Sequence, residues 1–470
     1  MKINGILKNL SYSFSVNFIS LIISVLMVAL LPKVMGVEDY GAWQLYLFYL
    51  SYVGFFPFGW IDGIYLRYGG KTYEELDKKI FSGQFYALAI LESIIAMCFI
   101  LYAKISVQDV YVSTVIQFIS IVGVFTVLVA FTSFIMQFTN RIKDYAKLVL
   151  YERVLFFICV LVYIKLGFIG YKGLLAISLA TKLGMLFFSC YLIKEVVQSN
   201  VGRLGDVFSE MRANIIVGSK LMFANIAGML LIGIVRFGIS QGWNIAIFGK
   251  VSLTLSVSNF LMVFISAISV VLFPILKRIN QDNLPKLYIV LRNCLTVPLL
   301  GMLLFYYPLK VLLSMWLPKY ADSLIYMAIL FPVCLFESKV SLLINTYLKS
   351  LRQELLMLRI NCIAVIISGL LTFIGVIILN NLNITILSII LIFAFRCILA
   401  EYFLGKLLEI ELCKDIVLEI LMVVLFISTG WILDSWLSLV IYGAGYTVYL
   451  IIKKNDIIES IKTIKAQLAK

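Results

Sequence analysis

Apolar residues do not alternate with polar ones along this chain. They come in long blocks separated by short polar turns. A bilayer core about 30 Å thick takes roughly 20 apolar helical residues to cross. Fourteen blocks reach or approach that length: residues 11–35, 43–65, 82–101, 111–138, 148–166, 171–193, 215–239, 250–276, 288–313, 321–348, 360–379, 384–404, 416–433 and 436–452. Outer-membrane strands alternate and run to only about ten residues, so the pattern predicts helices. The first block is too long for a signal-peptide core and ends in Pro32-Lys33 instead of a small-residue cleavage site. It is expected to stay as an anchor.

Charge supports that reading and orients it. With the N-terminus in the cytosol, and charges near block ends counted with the adjacent side, 28 of the 39 Lys and Arg fall on the cytosolic side, 7 on the outer side and 4 remain within blocks. That asymmetry is the positive-inside pattern, and it predicts an inner-membrane protein with both termini cytosolic. Composition agrees: 62% of residues are hydrophobic, 14% are charged and the mean hydropathy is +1.04, which excludes a soluble globular domain. A net charge of +14 would suggest nucleic acid on a soluble protein. Here topology absorbs it, and no nucleic-acid partner is expected. The chain has no histidine, which excludes Ser-His-Asp and Cys-His chemistry and His-ligated metal. The eight cysteines form no CxxC pair, so neither a disulfide framework nor a metal site is expected. No Walker sequence is present; Gly249-Lys250 reads as a turn.

Two short echoes suggest an internal repeat. Tyr40-Gly41 opens the second block and Phe248-Gly249 the eighth, 208 residues on; Arg141 and Arg352 follow the fourth and tenth blocks, 211 apart. An offset of six helices means a parallel repeat, with halves related about the membrane normal. The expected fold is therefore an all-α polytopic membrane protein of about fourteen transmembrane helices. An N-lobe spans residues 1–193, a cytosolic linker 194–214, a C-lobe 215–406, and a final helix pair with a basic tail 407–470.

The stretch Leu31-Pro32-Lys33-Val34-Met35-Gly36-Val37-Glu38-Asp39-Tyr40-Gly41 resembles the first-turn signature of Wzx-type O-antigen flippases. These belong to the MOP superfamily with the MATE exporters and lipid II flippases. Asn140-Arg141-Ile142-Lys143-Asp144-Tyr145 resembles that family's basic turn, and Asn214 to Asn225 the start of its second lobe. The resemblance implies a MATE-like pair of six-helix lobes and no enzymatic activity. It implies passage of undecaprenyl-pyrophosphate-linked oligosaccharide, an O-antigen or capsule repeat unit, from the cytosolic to the outer leaflet. A polysaccharide polymerase and a chain-length regulator would be its assembly partners.

Charges inside a membrane default to functional roles. The four unassigned cations are Lys182, Arg236, Lys339 and Arg396, expected to line a cavity and hold pyrophosphate. Pairing with buried acids, or snorkelling, is the bland alternative for each. Glu92 and Glu337 are the deep acids, with Asp62 nearer a helix end. They are candidates to carry a coupling proton or sodium ion; no other cofactor is expected. Competing functions are a MATE-like exporter of small cations, whose site should be acidic, and a polytopic O-antigen polymerase or ligase. The enzyme would need a large outer loop, and the outer connections here are all short.

Overall fold

The computed structural model describes residues 3–259, 284–433 and 435–468, with side chains for 16–259, 284–353, 355–433 and 435–462. The described residues are mostly helical, with no strand among them. The first seven helices are α1 (Ile3–Val34), α2 (Val37–Leu50), α3 (Trp60–Tyr68), α4 (Lys78–Ser106), α5 (Val110–Phe138), α6 (Ile142–Lys165) and α7 (Tyr171–Leu192). Then come α8 (Leu204–Gly242), α9 (Ile245–Asn259), α10 (Leu284–Met302), α11 (Tyr306–Trp316), α12 (Met327–Ser350) and α13 (Leu355–Ile378). The last four are α14 (Leu382–Leu408), α15 (Cys413–Leu433), α16 (Trp436–Ile452) and α17 (Lys454–Leu468).

Among the described residues, ten helical stretches are long and apolar enough to cross a membrane, and an eleventh is a bent pair, α16 with α17. Four of the expected fourteen blocks fall short, each for a visible reason. The second is broken into α2 and α3 by residues 51–59, which turn and end on Phe58 and Gly59, both in left-handed backbone with φ of 54° and 78°. The fifth carries Glu152, Arg153 and Lys165. The eighth, with Lys277 and Arg278 beyond it, runs into residues 260–283, outside the described residues. The last has only 17 residues before the bend.

Helix boundaries follow local chemistry. Asp77 caps α4 by accepting from Lys79 N and Ile80 N, Asp109 caps α5 at Val112 N, and Asn381 caps α14 at Asn383 N and Ile384 N. Two helix ends recur at nearly the same offset. After α5, Asn140 is left-handed at φ 60°, its N–H bonds Gln137 O, and Arg141 N bonds Met136 O. After α12, Arg352 is left-handed at φ 55°, its N–H bonds Lys349 O, and Gln353 N bonds Leu348 O. This is the same Schellman cap, recurring 212 residues later. The next helix of each set also ends on a left-handed residue, Gly167 and then Asn380, 213 residues later.

The chain packs as two compact units, Met1–Ile226 and Ala227–Lys470. Their boundary falls within α8, a continuous helix of 39 residues. Residues 204–214, in the stretch expected as linker, are thus helical, and residues up to 226 pack with the first unit. In that unit α8 touches α3 backbone to backbone. A Cβ on Gly63 would lie 1.9 Å from Asn214 O, and one on Gly218 would lie 1.9 Å from Gly59 O. Lipid tails are as apolar as leucine, so close approach of small residues is what binds helices in a bilayer. Polar groups complete the joint, with Arg67 also paired to Glu210 of α8 at 2.7 Å. Gln84 Oε1 accepts from Trp60 Nε1 and from Asn214 Nδ2, each at 2.8 Å, and Arg67 Nη1 donates to Asn214 Oδ1 at 2.6 Å.

In the second unit the central element is α12, with 89% of its most apolar stretch buried. The second half of α8 packs there against α13. Ser368 Oγ donates to Leu231 O at 2.9 Å, and Gly238 faces the Thr372 side chain at 2.4 Å from an added Cβ.

Candidate functional site

The densest chemistry lies in the second unit. Tyr288 and Arg292 are four apart on α10 and so share a face; both reach Glu401 on α14. Arg292 Nε donates to Glu401 Oε1 at 2.6 Å and Tyr288 OH to the same oxygen at 3.1 Å. Lys339 Nζ, on α12, donates to Glu401 Oε2 at 2.7 Å and to Glu419 Oε2 at 2.5 Å. Arg292 Nη1 closes the ring with an ion-pair contact to Glu419 Oε1 at 2.7 Å. Two cations and two carboxylates from four helices thus form a neutral square, every side chain at most 2% exposed. An outer pair continues from it: Asp415 lies 3.3 Å from Arg292 Nη1 and 2.6 Å from Lys453 Nζ. Breaking one member of such a buried network leaves an uncompensated charge, so the square pins its helices.

Arg396 and Glu337, both nominated from sequence, meet. Arg396 Nη1 donates to Glu337 Oε2 at 2.7 Å, and Arg396 Nε donates to Asn361 Oδ1 at 2.9 Å. Arg396 is 4% exposed and Glu337 26%. Glu337 and Lys339, two apart on α12, serve different partners, as their spacing requires. Arg236 donates to Ser252 Oγ at 3.1 Å and lies over the Phe248 ring at 5.4 Å.

The first unit handles charge differently. Lys182 on α7 pairs with Glu152 on α6 at 2.7 Å, with 15% and 23% of the side chains exposed. Glu92, in the middle of α4, is only 2% exposed, yet no hydrogen bond or ion pair reaches it from the described residues, and its Oε1 is fully enclosed. Asp62 sits half-buried in the first turn of α3, where the helix dipole favours a carboxylate. The four nominated cations therefore each have their own set of partners.

Sequence reasoning missed Glu419 and assigned Arg292 to a loop. It also missed a cavity of about 410 Å³ lined by Thr72, Tyr73, Arg141, Tyr191, Lys194 and Glu195, among others. Arg141 is held there by Asp144 at 2.7 Å and by Leu192 O at 3.0 Å, and lies over the Tyr73 ring at 4.9 Å. Glu195 is hydrogen-bonded by the Lys78 ammonium, which holds its carboxyl below the usual carboxylate range.

No family profile matches the sequence, and no curated protein sequence matches it. Solved structures do match the fold. The chain is similar to the lipid II flippase MurJ in an inward closed conformation, with a TM-score of 0.65 and 13% identity, over 95% of this chain and 99% of that one. It is also similar to an inward-facing multidrug resistance MATE family transporter of the MOP superfamily, with a TM-score of 0.63 and 11% identity, over 82% of this chain and 94% of that one. At such identities the likeness is one of fold. Together with the apolar spans, it makes this chain a multi-pass membrane protein with the all-helical architecture those two proteins share.

Proposed function

We propose that this protein is a flippase that carries an undecaprenyl-pyrophosphate-linked oligosaccharide from the cytosolic to the outer leaflet by alternating access. The carrying observation is the fold shared with MurJ, a lipid II flippase, over nearly the whole of both chains. The intramembrane pairs support the same reading. Lys182–Glu152 and Arg396–Glu337 each leave one or both members partly exposed, so a pyrophosphate can exchange with the carboxylate partner. Lys339, sealed at 1%, is read here as structural. Glu92, a buried carboxylate with no partner among the described residues, is the first candidate for proton or sodium coupling. The O-antigen or capsule identity of the glycan rests on the resemblance at Leu31 to Gly41 and Asn140 to Tyr145. We read the role as transport, not polymerase or ligase chemistry, with the shared fold as support, and the setting as a bacterial inner membrane, with the asymmetry of Lys and Arg between the two sides as support.

The test is reconstitution in vesicles with a labelled undecaprenyl-pyrophosphate oligosaccharide and a membrane-impermeant reagent that reports its leaflet. Lys182→Gln with Arg396→Gln should slow transfer by about tenfold or more, the scale of losing a charge-assisted contact worth roughly 1.4 kcal/mol. A parental rate in that double variant removes both from the headgroup path. Glu92→Gln should flip the lipid at a rate indifferent to an imposed proton or sodium gradient. A gradient response equal to the parent's excludes Glu92 as the carrier. The MATE-like fold match keeps one rival in view: uptake of small organic cations, with no movement of lipid, would favour that exporter instead.

A further inference from the structure

The last span, α16, is followed after the single residue Lys453 by α17, and the chain bends by 62° between them. A helix that leaves a span through such a bend starts at the membrane interface. Its residues divide by face. Lys453, Ile457 and Ser460, spaced four and three apart, turn inward: Lys453 and Ser460 are buried, and Ser460 Oγ accepts from Asn293 Nδ2 of α10 at 3.2 Å. Next to that face Ile458 and Ile461 are 41% and 47% exposed. Lys454 and Lys462 are exposed too, and neither enters an ion pair among the described residues. At about 100° per residue, Lys454, Ile458, Ile461 and Lys462 share one sector, and Asp456 and Glu459 fall outside it. Bare isoleucines flanked by unpaired lysines suit neither bulk water nor an acyl core. They suit the headgroup boundary of an anionic leaflet.

We propose that α17 is an anionic-lipid-binding surface. It lies in the interface plane with Ile458 and Ile461 in the headgroup–acyl boundary and with Lys454 and Lys462 on acidic headgroups. Its buried face ties this surface to the protein through Ser460–Asn293 and through Lys453, which pairs with Asp415 at 2.6 Å. The inference stands apart from the transport reading.

The experiment uses the full chain in vesicles, with its native cysteines replaced and a nitroxide placed by Ile458→Cys, Ile461→Cys or Glu459→Cys. Each labelled protein should elute from size exclusion as the parent does. Labels at 458 and 461 should show a several-fold higher ratio of oxygen to aqueous nickel-chelate accessibility than the label at 459. That ratio should rise further in phosphatidylglycerol-rich vesicles relative to phosphatidylcholine vesicles. Lys454→Gln with Lys462→Gln should abolish the rise. Equal ratios at the three positions would overturn the proposal, as would indifference to phosphatidylglycerol. So would labels shielded from both reagents, the mark of a protein partner seated on the helix.

Discussion

The two units tie their helices together by opposite means. The first brings backbones into contact at Gly59, Gly63 and Gly218 and trims the joint with a chain of uncharged amides, Gln84 and Asn214, between Trp60 and Arg67. The second brings four helices to a buried square of full charges, Arg292, Lys339, Glu401 and Glu419. Apolar burial offers little attraction between helices already in lipid. Either very close packing or a polar lock must supply it, and this chain uses one of each. The contrast also separates charge that holds from charge that is available. The square is closed and neutral, whereas the first unit's Arg67–Glu210 and Lys182–Glu152 pairs stay partly exposed and Glu92 meets no partner among the described residues.

Five changes break or sharpen that contrast, the most disruptive first. Glu419→Ala leaves Arg292 and Lys339 sharing the single carboxylate of Glu401, with one buried positive charge uncompensated in the square, and should cost about 3–5 kcal/mol, read as a lower unfolding temperature in detergent. Replacing all four square residues by Met or Leu should return stability close to the parent's, since a buried ion network and an apolar core of similar volume are often equivalent. If the fourfold variant is as unstable as Glu419→Ala, the square does more than hold helices. Gly63→Ala pushes a methyl into Asn214 O and should cost about 1–3 kcal/mol. Gly184→Ala, in α7 with nothing within 4 Å, should instead stabilise by roughly 0.5–1 kcal/mol; equal melting of the two variants would discard the backbone joint. Gln84→Leu, which strands the Trp60 and Asn214 donors, should cost about 1 kcal/mol in the same melt. An unchanged melting temperature would reduce the amide chain to decoration.

The smallest effect belongs to the exposed pair Lys78–Glu195. Glu195 has a folded value below its ordinary 4.5, so its stabilisation is present above the ordinary carboxylate range and is lost as pH falls. Amide protection factors in residues 194–198, each rate taken against the intrinsic rate at the same pH, should fall on acidification to about pH 3. Exchange that ignores this titration would remove the pair as a local tether.

Much of the fold was legible because a bilayer demands long apolar blocks, and every block overlaps helix where it is described. The breaks were less legible: a left-handed Phe58–Gly59 leaves no mark in hydropathy. Among the site residues, Lys182, Lys339, Arg396, Glu92 and Glu337 stood out by depth alone. Arg292 and Glu419 did not, because each lies just inside a block end, where positive-inside counting treats charge as topology. Opposite charges just inside neighbouring block ends, with Glu401 a third, were the available signal. The spacing Gly59-Trp60-Ile61-Asp62-Gly63 is a GxxxG pattern, visible before any coordinates. Its partner, Gly218, lies 155 residues away and is not.

That distance sets a schedule for the growing chain. Domains fold N-terminal first as they leave the ribosome, at about 5–20 residues per second. The glycine face of α3 enters the membrane early and finds its mate only when the opening turns of α8 have been made. A nascent chain halted after α7 would carry six of the expected blocks and still show an open glycine seam to whatever helix is nearest, including one from another copy. Assembly of the first unit thus waits on the first turns of a helix whose remainder belongs to the second.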